Sequence, residues 1–369
     1  MTPHGVPAHP PEATRASTSR EVVMSRWPLR CMFAAALMLP GAAVAEPIQL
    51  KLSFFTSDRS VAYQTAVKPF VEAVNSEGQN LIEIKVYFSG ELGKIQKELP
   101  QSVLDRTADI AFIVPGQNPE RFPDNALIEL PGLFQNVREA TLTYSRLVAT
   151  GALAGYSDFF VIGAYATEPE IIHSRKPAAS LADLKGQRIR VNNPTQELAL
   201  KRLGMEAQVM AFNQTTPALS RGDIDAACVP PGQLFDVGIG RLTSHHYYLG
   251  TSVAPLALVM NRQVYESLPQ AARDLIKKYS GEWTAARFIE AYEKTNGEAF
   301  DRIRADPKRT LTFPSPADQK VAHAEFKLIT DQWAAESPRH KKLLELAKDE
   351  LVKIHTDKET APRASAPPQ

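Results

Sequence analysis

Cysteine is nearly absent. The 369 residues hold two, Cys31 and Cys228, too few for a disulfide framework or for a metal site built from thiolates alone. Neither sign of charge dominates: 42 basic residues face 41 acidic ones, for a net charge of +1. That balance gives no support to nucleic-acid binding, which leaves a basic surplus or patch. The GxSxG elbow, the HExxH zinc motif, the P-loop and a complete GxGxxG are also missing. The nearest glycine cluster, Gly238-Ile-Gly240, lacks both the third glycine and a preceding strand. The eight histidines are scattered. The adjacent pair His245-His246 would point to opposite sides of an extended segment, which disfavours a shared metal. No metal and no cofactor is expected. What is present, 44% apolar, 22% charged and 8% aromatic residues, is an ordinary globular profile, long enough for two domains.

The first 45 residues read as a signal peptide. Arg26 and Arg30 precede an apolar run, Cys31–Leu39, and Ala43-Val44-Ala45 forms an A-x-A cleavage site. The run is too short to span a bilayer. Residues 1–23 are rich in Pro, Ser, Thr and Arg and lie upstream of a second methionine, so Met24 is the favoured start. Cleavage removes Arg15, Arg20, Arg26 and Arg30 with Glu12 and Glu21, leaving 38 basic and 39 acidic residues and one cysteine. The mature chain has no further apolar run of membrane-spanning length, so a soluble secreted or periplasmic chain is expected. The tail over 356–369 reads as disordered by composition.

Periodicity predicts strand (48–54), helix (63–74), strand (82–88), helix (94–105) and strand (109–114), with a further helix over 136–154 and a strand over 159–164. The β-α-β-α-β order implies parallel strands with crossover helices. The alternation recurs over 180–229. There Ser180 opens a capped turn, Arg188–Val191 reads as a strand, and Asn193-Pro194 starts a helix that stops at Gly204. Strands at 207–211 and 224–229 flank a helix at 215–220. The last third is helical: Ser267–Tyr279, 283–304, and two helices after the Ser315-Pro316 cap.

Arg188-Ile-Arg190-Val191 is the most informative local signal. On a strand the two arginines share one face. Taken alone, such a pair is usually a solvated basic face. Here the strand feeds Asn192-Asn193-Pro194, a helix N-terminus at the carboxyl end of a strand, where ligands of α/β sheets bind. An arginine there offers a rigid fork to a carboxylate. A catalytic reading would need a nucleophile or an acid–base pair; Cys228 and Asp225 are the candidates.

A series of further segments stands in a specific order. Val86-Tyr87…Gly90…Leu92-Gly93, Ala108-Asp109-Ile110, Arg121-Phe122-Pro123 and Glu129-Leu130-Pro131 precede Ser180–Gly186 and the Arg188–Val191 stretch. Leu203-Gly204, Ala218-Leu219…Gly222-Asp223-Ile-Asp225, Leu258-Val259-Met260-Asn261 and Leu268-Pro269 follow. Over about residues 50–340 the chain resembles the solute-binding proteins of TRAP transporters, the DctP-like family.

The resemblance implies an α/β, two-lobed periplasmic binding protein of type II-like architecture, each lobe a mixed sheet flanked by helices, with the ligand cleft between them. Lobe I would comprise 46–165 and about 254–295, lobe II 166–253 and about 296–355. The chain would be a monomer that captures a small organic acid and delivers it to a membrane permease. The family's carboxylate-clamping arginine falls at Arg190, and Phe212 matches an aromatic that packs on ligand carbons. Asn192, Gln117, Phe55 and Ser57 lie on loops at strand ends facing the cleft. Gln214 stands where many relatives carry Glu, Thr216 where they carry Tyr, and Cys228-Val229-Pro230 where they carry Glu-Asn-Pro. The second arginine of sialic-acid binders falls at Glu170. These departures exclude a sialic-acid site and point to a less hydroxylated ligand, a hydrophobic or aromatic monocarboxylate. A receptor feeding a sensor, or a periplasmic enzyme acting on a carboxylate, are the alternatives.

Overall fold

The strand and helix patterns place the chain in two mixed sheets. The structure is a computed structural model that describes residues 46–236 and 238–360, with side chains through 356. The expected signal peptide and the end of the tail, 361–369, lie outside the described residues.

The first sheet has the order β2-β1-β3-β10-β4, from β1 (Ile48–Ser53), β2 (Ile82–Tyr87), β3 (Ile110–Ile113), β4 (Phe159–Ala166) and β10 (Pro255–Asn261). β1 pairs in parallel with β2 and β3, as the crossover helices require. β10 returns late in the chain and inserts antiparallel between β3 and β4. All seven of its residues are buried, because helices cover both sheet faces. Phe70, Phe288 and Tyr292 pack on one face, Tyr144, Leu147 and Leu344 on the other.

The second sheet has the order β11-β9-β5-β8-β6-β7, from β5 (Ile171–Ser174), β6 (Arg188–Val191), β7 (Glu206–Val209), β8 (Ala226–Val229), β9 (His245–Tyr247) and β11 (Thr310–Thr312). β6 runs parallel to both β7 and β8, so the Arg-x-Arg strand is interior to the sheet rather than at its edge. Capping is local and follows the sequence. Ser180, Asn193 and Ser315 each accept a hydrogen bond from the backbone N–H three residues on.

Two extended connections, 167–170 and 248–254, join the sheets. They bond to each other as a short ribbon: Thr167 N to Ala254 O at 3.1 Å, Glu170 N to Ser252 O at 2.7 Å, and Thr251 N to Glu170 O at 2.9 Å. The helix Glu282–Ala305 is a third link. Its Phe288 and Tyr292 pack in the first lobe and its Ile303 in the second.

Three expectations are corrected. The helix expected over Ser267–Tyr279 begins only after Pro269, as Gln270–Lys278, and a separate short helix, Arg262–Ser267, precedes it. The last helix, Pro338–Thr360, runs into the segment expected as tail. Its sequence position assigns it to the second lobe, but it packs on the first, where Leu343, Leu344 and Ala347 join the cluster around Tyr144. Asp124 of that lobe binds its Arg339.

Candidate functional site

Strand direction brings the site together. The carboxyl ends of β1, β3, β6, β7 and β8 all open toward the space between the sheets. The residues that follow them, Phe55 and Thr56, Val114, Asn192, Phe212 and Gln233, line one cavity. Thr167, Glu170, Ala254 and Leu256 of the connecting ribbon and β10 close another side, and Gln96, Asp236 and Arg190 complete the polar lining. The enclosed space is small, about 40 Å³, room for a few water molecules and well below the volume of a ligand pocket.

Arg190 is 1% exposed. Its Nε donates to Met210 O at 2.9 Å, Nη1 to Cys228 O at 2.9 Å and Nη2 to Asn192 Oδ1 at 3.1 Å. A guanidinium has five donors, so one N–H remains on each terminal nitrogen. Two backbone carbonyls and an amide fix the fork without neutralising it. Burial pulls its pKa below the ordinary arginine value, opposed by Glu170; a group that starts so high stays charged. The Phe212 ring lies 5.9 Å from its Cζ, within cation–π range. Asn192 Nδ2 is buried without a partner beside it.

Among the described residues lining the cavity, the charged neighbours of Arg190 are acids. Glu170 sits in the connecting ribbon, its Oε2 accepting from Gln196 Nε2 at 3.0 Å. Burial pushes its carboxyl up to about 7, against the pull of Arg190 and Gln196. Asp236, on the second lobe, reaches the first: its Oδ2 accepts the Val61 N–H at 2.9 Å, at the start of the helical turns over 61–77. Burial pushes this carboxyl up to about 7 as well. Nearby, Glu129 is buried, with burial first and Glu170 second raising its pKa, and its Oε1 has no partner. That atom rests over Gly116, where a Cβ would lie 1.7 Å away.

Of the residues singled out in the sequence, Arg190, Asn192, Phe212 and Phe55 line the cavity. Phe55 stacks on Phe54 and Phe112. Four others do not. Gln214 is exposed, because residues 212–214 form a 3₁₀ turn that sends its side chain off the face of Phe212. Ser57 is exposed and contributes its carbonyl to Ser60. Gln117 is half-buried on the turn after β3, its Nε2 without a partner. Cys228 serves Arg190 through its carbonyl, while its side chain is buried and burial pushes the thiol far up, the opposite of what a nucleophile needs. Asp225 is held well below the usual carboxylate range, first by Arg188. Arg188 donates to it from Nε at 3.1 Å and Nη2 at 3.0 Å, so this partly solvated arginine is engaged in an ion pair away from the cavity. His246 turns inward to His173, with their Nδ1 atoms 2.7 Å apart.

Sequence reasoning missed Gln96, Glu170, Gln233 and Asp236. Gln233 carries a signal: it follows the carboxyl end of β8, directly after Pro230-Pro231-Gly232. Glu170 was met only as a missing arginine.

Two α/β lobes, joined by a ribbon and holding a buried cation in the cleft between their strand ends, define a two-lobed solute-binding protein. The chain belongs to the bacterial extracellular solute-binding protein family 7, DctP, whose profile matches residues 52–337. It is 25% identical over 309 residues to the C4-dicarboxylate-binding periplasmic protein DctP of Rhodobacter capsulatus, covering 79% of this chain and 88% of that one. Among solved structures it resembles a TRAP solute-binding protein of Rhodoferax ferrireducens in complex with copurified benzoate, at TM-score 0.79 and 24% identity, covering 84% of this chain and 99% of the other. It also resembles a marine-metagenome TRAP solute-binding protein specific for aromatic acid ligands, in complex with metahydroxyphenylacetate. Here the TM-score is 0.78 and the identity 25%, covering 83% and 99% of the two chains. No helix among the described residues is long and apolar enough to cross a membrane.

Proposed function

We propose that the chain is the periplasmic receptor of a TRAP-type transporter, exported by its signal peptide, that grips the carboxylate of a small organic acid on Arg190 and delivers the acid to a membrane permease as a monomer. The observation that carries this reading is the Arg190 guanidinium, buried between the lobes with one donor left on each terminal nitrogen. A carboxylate matches that pair and supplies the counter-charge that the backbone carbonyls do not.

An aromatic or hydrophobic monocarboxylate is the favoured cargo. Phe55, Phe112, Phe212, Val114 and Leu256 form the apolar wall. Arg190 is the sole cation among the described residues lining the cavity, and Glu170 and Asp236 would repel a second carboxylate. The 25% identical marine protein specific for aromatic acids supports this class. The enzyme alternative has little to work with: Cys228 is a buried thiol and Asp225 is committed to Arg188. A receptor serving a sensor would use the same clamp and differ only in its membrane partner.

Titration calorimetry against benzoate, phenylacetate, branched-chain acids, succinate and glucuronate tests the reading. Binding of the aromatic acids, lost in Arg190→Ala, is expected. Tight binding of succinate or glucuronate alone would overturn the cargo class, and unchanged affinity in Arg190→Ala would overturn the clamp.

A further inference from the structure

The cavity holds more hydrogen-bonding capacity than a carboxylate on an apolar body can use, and the surplus includes two acceptors, on Gln96 and Asp236. A carboxylate accounts for donors only: the two free N–H groups of Arg190 and the unpartnered Nδ2 of Asn192. Opposed to these, Gln96 is 6% exposed and its Oε1 has no partner. Asp236 engages only Oδ2, with Val61 N, and no hydrogen bond holds its Oδ1 among the described residues. Both side chains line the cavity. Acceptors buried under a bound apolar ring without a donor are penalised, and acceptors facing a second carboxylate more so. A cargo that brings its own donor satisfies them.

We propose that the cargo carries, besides its carboxylate, a hydrogen-bond donor, a hydroxyl or an amine, which Asp236 and Gln96 receive, and that these two residues set the receptor's selectivity. The inference rests on the aromatic-carboxylate reading above and adds the second functional group. Asp236 is well placed to report that group to the fold, because the same carboxylate docks the second lobe onto the first at Val61. On an aromatic ring the hydroxyl and the amine are both neutral donors near pH 7, and either binds an ionised or a neutral acceptor oxygen.

The test is calorimetry with benzoate, its three monohydroxy and three monoamino isomers, and the methyl ethers of the hydroxy acids. At least one hydroxy or amino isomer should bind about tenfold tighter than benzoate, the worth of one hydrogen bond, and its methyl ether should lose the gain. In Asp236→Asn, which replaces an acceptor oxygen by a donor at constant shape, and in Gln96→Leu, the advantage should shrink to within about threefold. Circular dichroism verifies folding, and the isosteric Asp236→Asn keeps the test decisive if Gln96→Leu does not fold. A preference confined to amino isomers identifies a neutral N–H donor, since an aromatic amine is uncharged near neutrality, and one confined to hydroxy isomers identifies the hydroxyl. Equal affinity for benzoate and all isomers, or an advantage that survives in both variants, overturns the inference while leaving the carboxylate clamp standing. Failure of every aromatic acid, benzoate included, overturns the cargo reading and this inference with it.

Discussion

If Arg190 is the carboxylate clamp proposed above, Glu170 makes anion capture depend on pH in a calculable way. It shares the cavity with Arg190 without being in ion-pair contact with it, and burial pushes its carboxyl from 4.5 to about 7. A shift of that size corresponds to about 3 kcal/mol against ionisation. The groups it acts on or feels are Arg190, Glu129, Cys228 and Tyr292, and of these only Arg190 is a cation. Above neutrality Glu170 is charged and supplies the counter-charge that the cargo would otherwise bring, and it repels the incoming carboxylate. Below neutrality it is neutral and the arginine is free to bind. If only the neutral form is competent, the apparent Kd rises about 30-fold between about pH 6 and about pH 8.5, following the shrinking competent fraction. The sign follows from linkage: binding an anion beside an acid favours its proton, so affinity tightens as pH falls. Asp236, also at about 7, titrates in the same window and in the same sense. Calorimetry of one aromatic acid across this range, in wild type and in Glu170→Gln, measures the slope. The variant should retain a shallower dependence and bind more tightly than wild type at about pH 8.5. A flat wild-type profile, or a variant as steep as wild type, refutes the coupling.

Further outcomes follow from the same geometry. Arg190→Lys keeps the charge but loses the fork and the contacts to Met210, Cys228 and Asn192, so cargo affinity should fall about 100-fold or more by calorimetry. Arg339→Ala leaves buried Asp124 with only the Ala154 N–H. Because that arginine is half-exposed, the cost should be about 2 kcal/mol in urea unfolding, below the range for a fully buried pair. The Arg309 guanidinium can only donate, which makes His246 Nε2 an acceptor and His246 Nδ1 the donor to His173. His173 Nε2 then donates to Val229 O. Burial, with Arg309 second, pulls the His246 pKa down to about 3, so the ring signals of both histidines should stay flat in NMR titration from about pH 8 to about pH 5. A midpoint near 6 would break the assignment.

What could be read from the sequence was local. Alternation in Ile48–Ser53 and Ile82–Tyr87 and the helical spacing between them suffice for the first β-α-β, because each pattern buries its own face against the next element. Caps such as Asn193, and the stop at Gly204 with φ +89°, act over three or four residues. β10 is different. Its apolar run does not distinguish a buried strand from a buried helix, and its place between β3 and β4 is set by a return over about ninety residues. β9 and β11, at three residues each, are too short to show a period. The site divides in the same way. Arg190 is legible because strand direction aims it at the cleft. Gln96 comes from a 3₁₀ turn, Glu170 from the ribbon and Asp236 from the loop after β8, and none of these has a period to read. Gln214 was misplaced for that reason: a tight turn rotates side chains by a third of a circle per residue, and no apolar pattern reveals it.

The polar inventory of the cleft also gives closure a driving force. Arg190 is held by groups of the second lobe alone, Met210, Cys228 and Asn192, so its position does not depend on the first lobe. What the first lobe adds is the apolar cover of Phe55 and Phe112, which excludes water, and exclusion of water makes an uncompensated guanidinium costly. With cargo bound, the same exclusion strengthens the ion pair, since the attraction grows as the dielectric falls. The hydrogen bond from Val61 N to Asp236 can form only when the lobes meet, so it adds to closure whichever way the charge is balanced. Glu170 lies in the ribbon that joins the lobes, where its ionisation can stand in for the cargo. Replacing it by Gln removes that substitute, so the free protein should populate an open form more fully at about pH 8.5. Small-angle scattering of Glu170→Gln against wild type should show a larger radius of gyration without cargo and equal radii with it, and equal radii in both states would refute the argument.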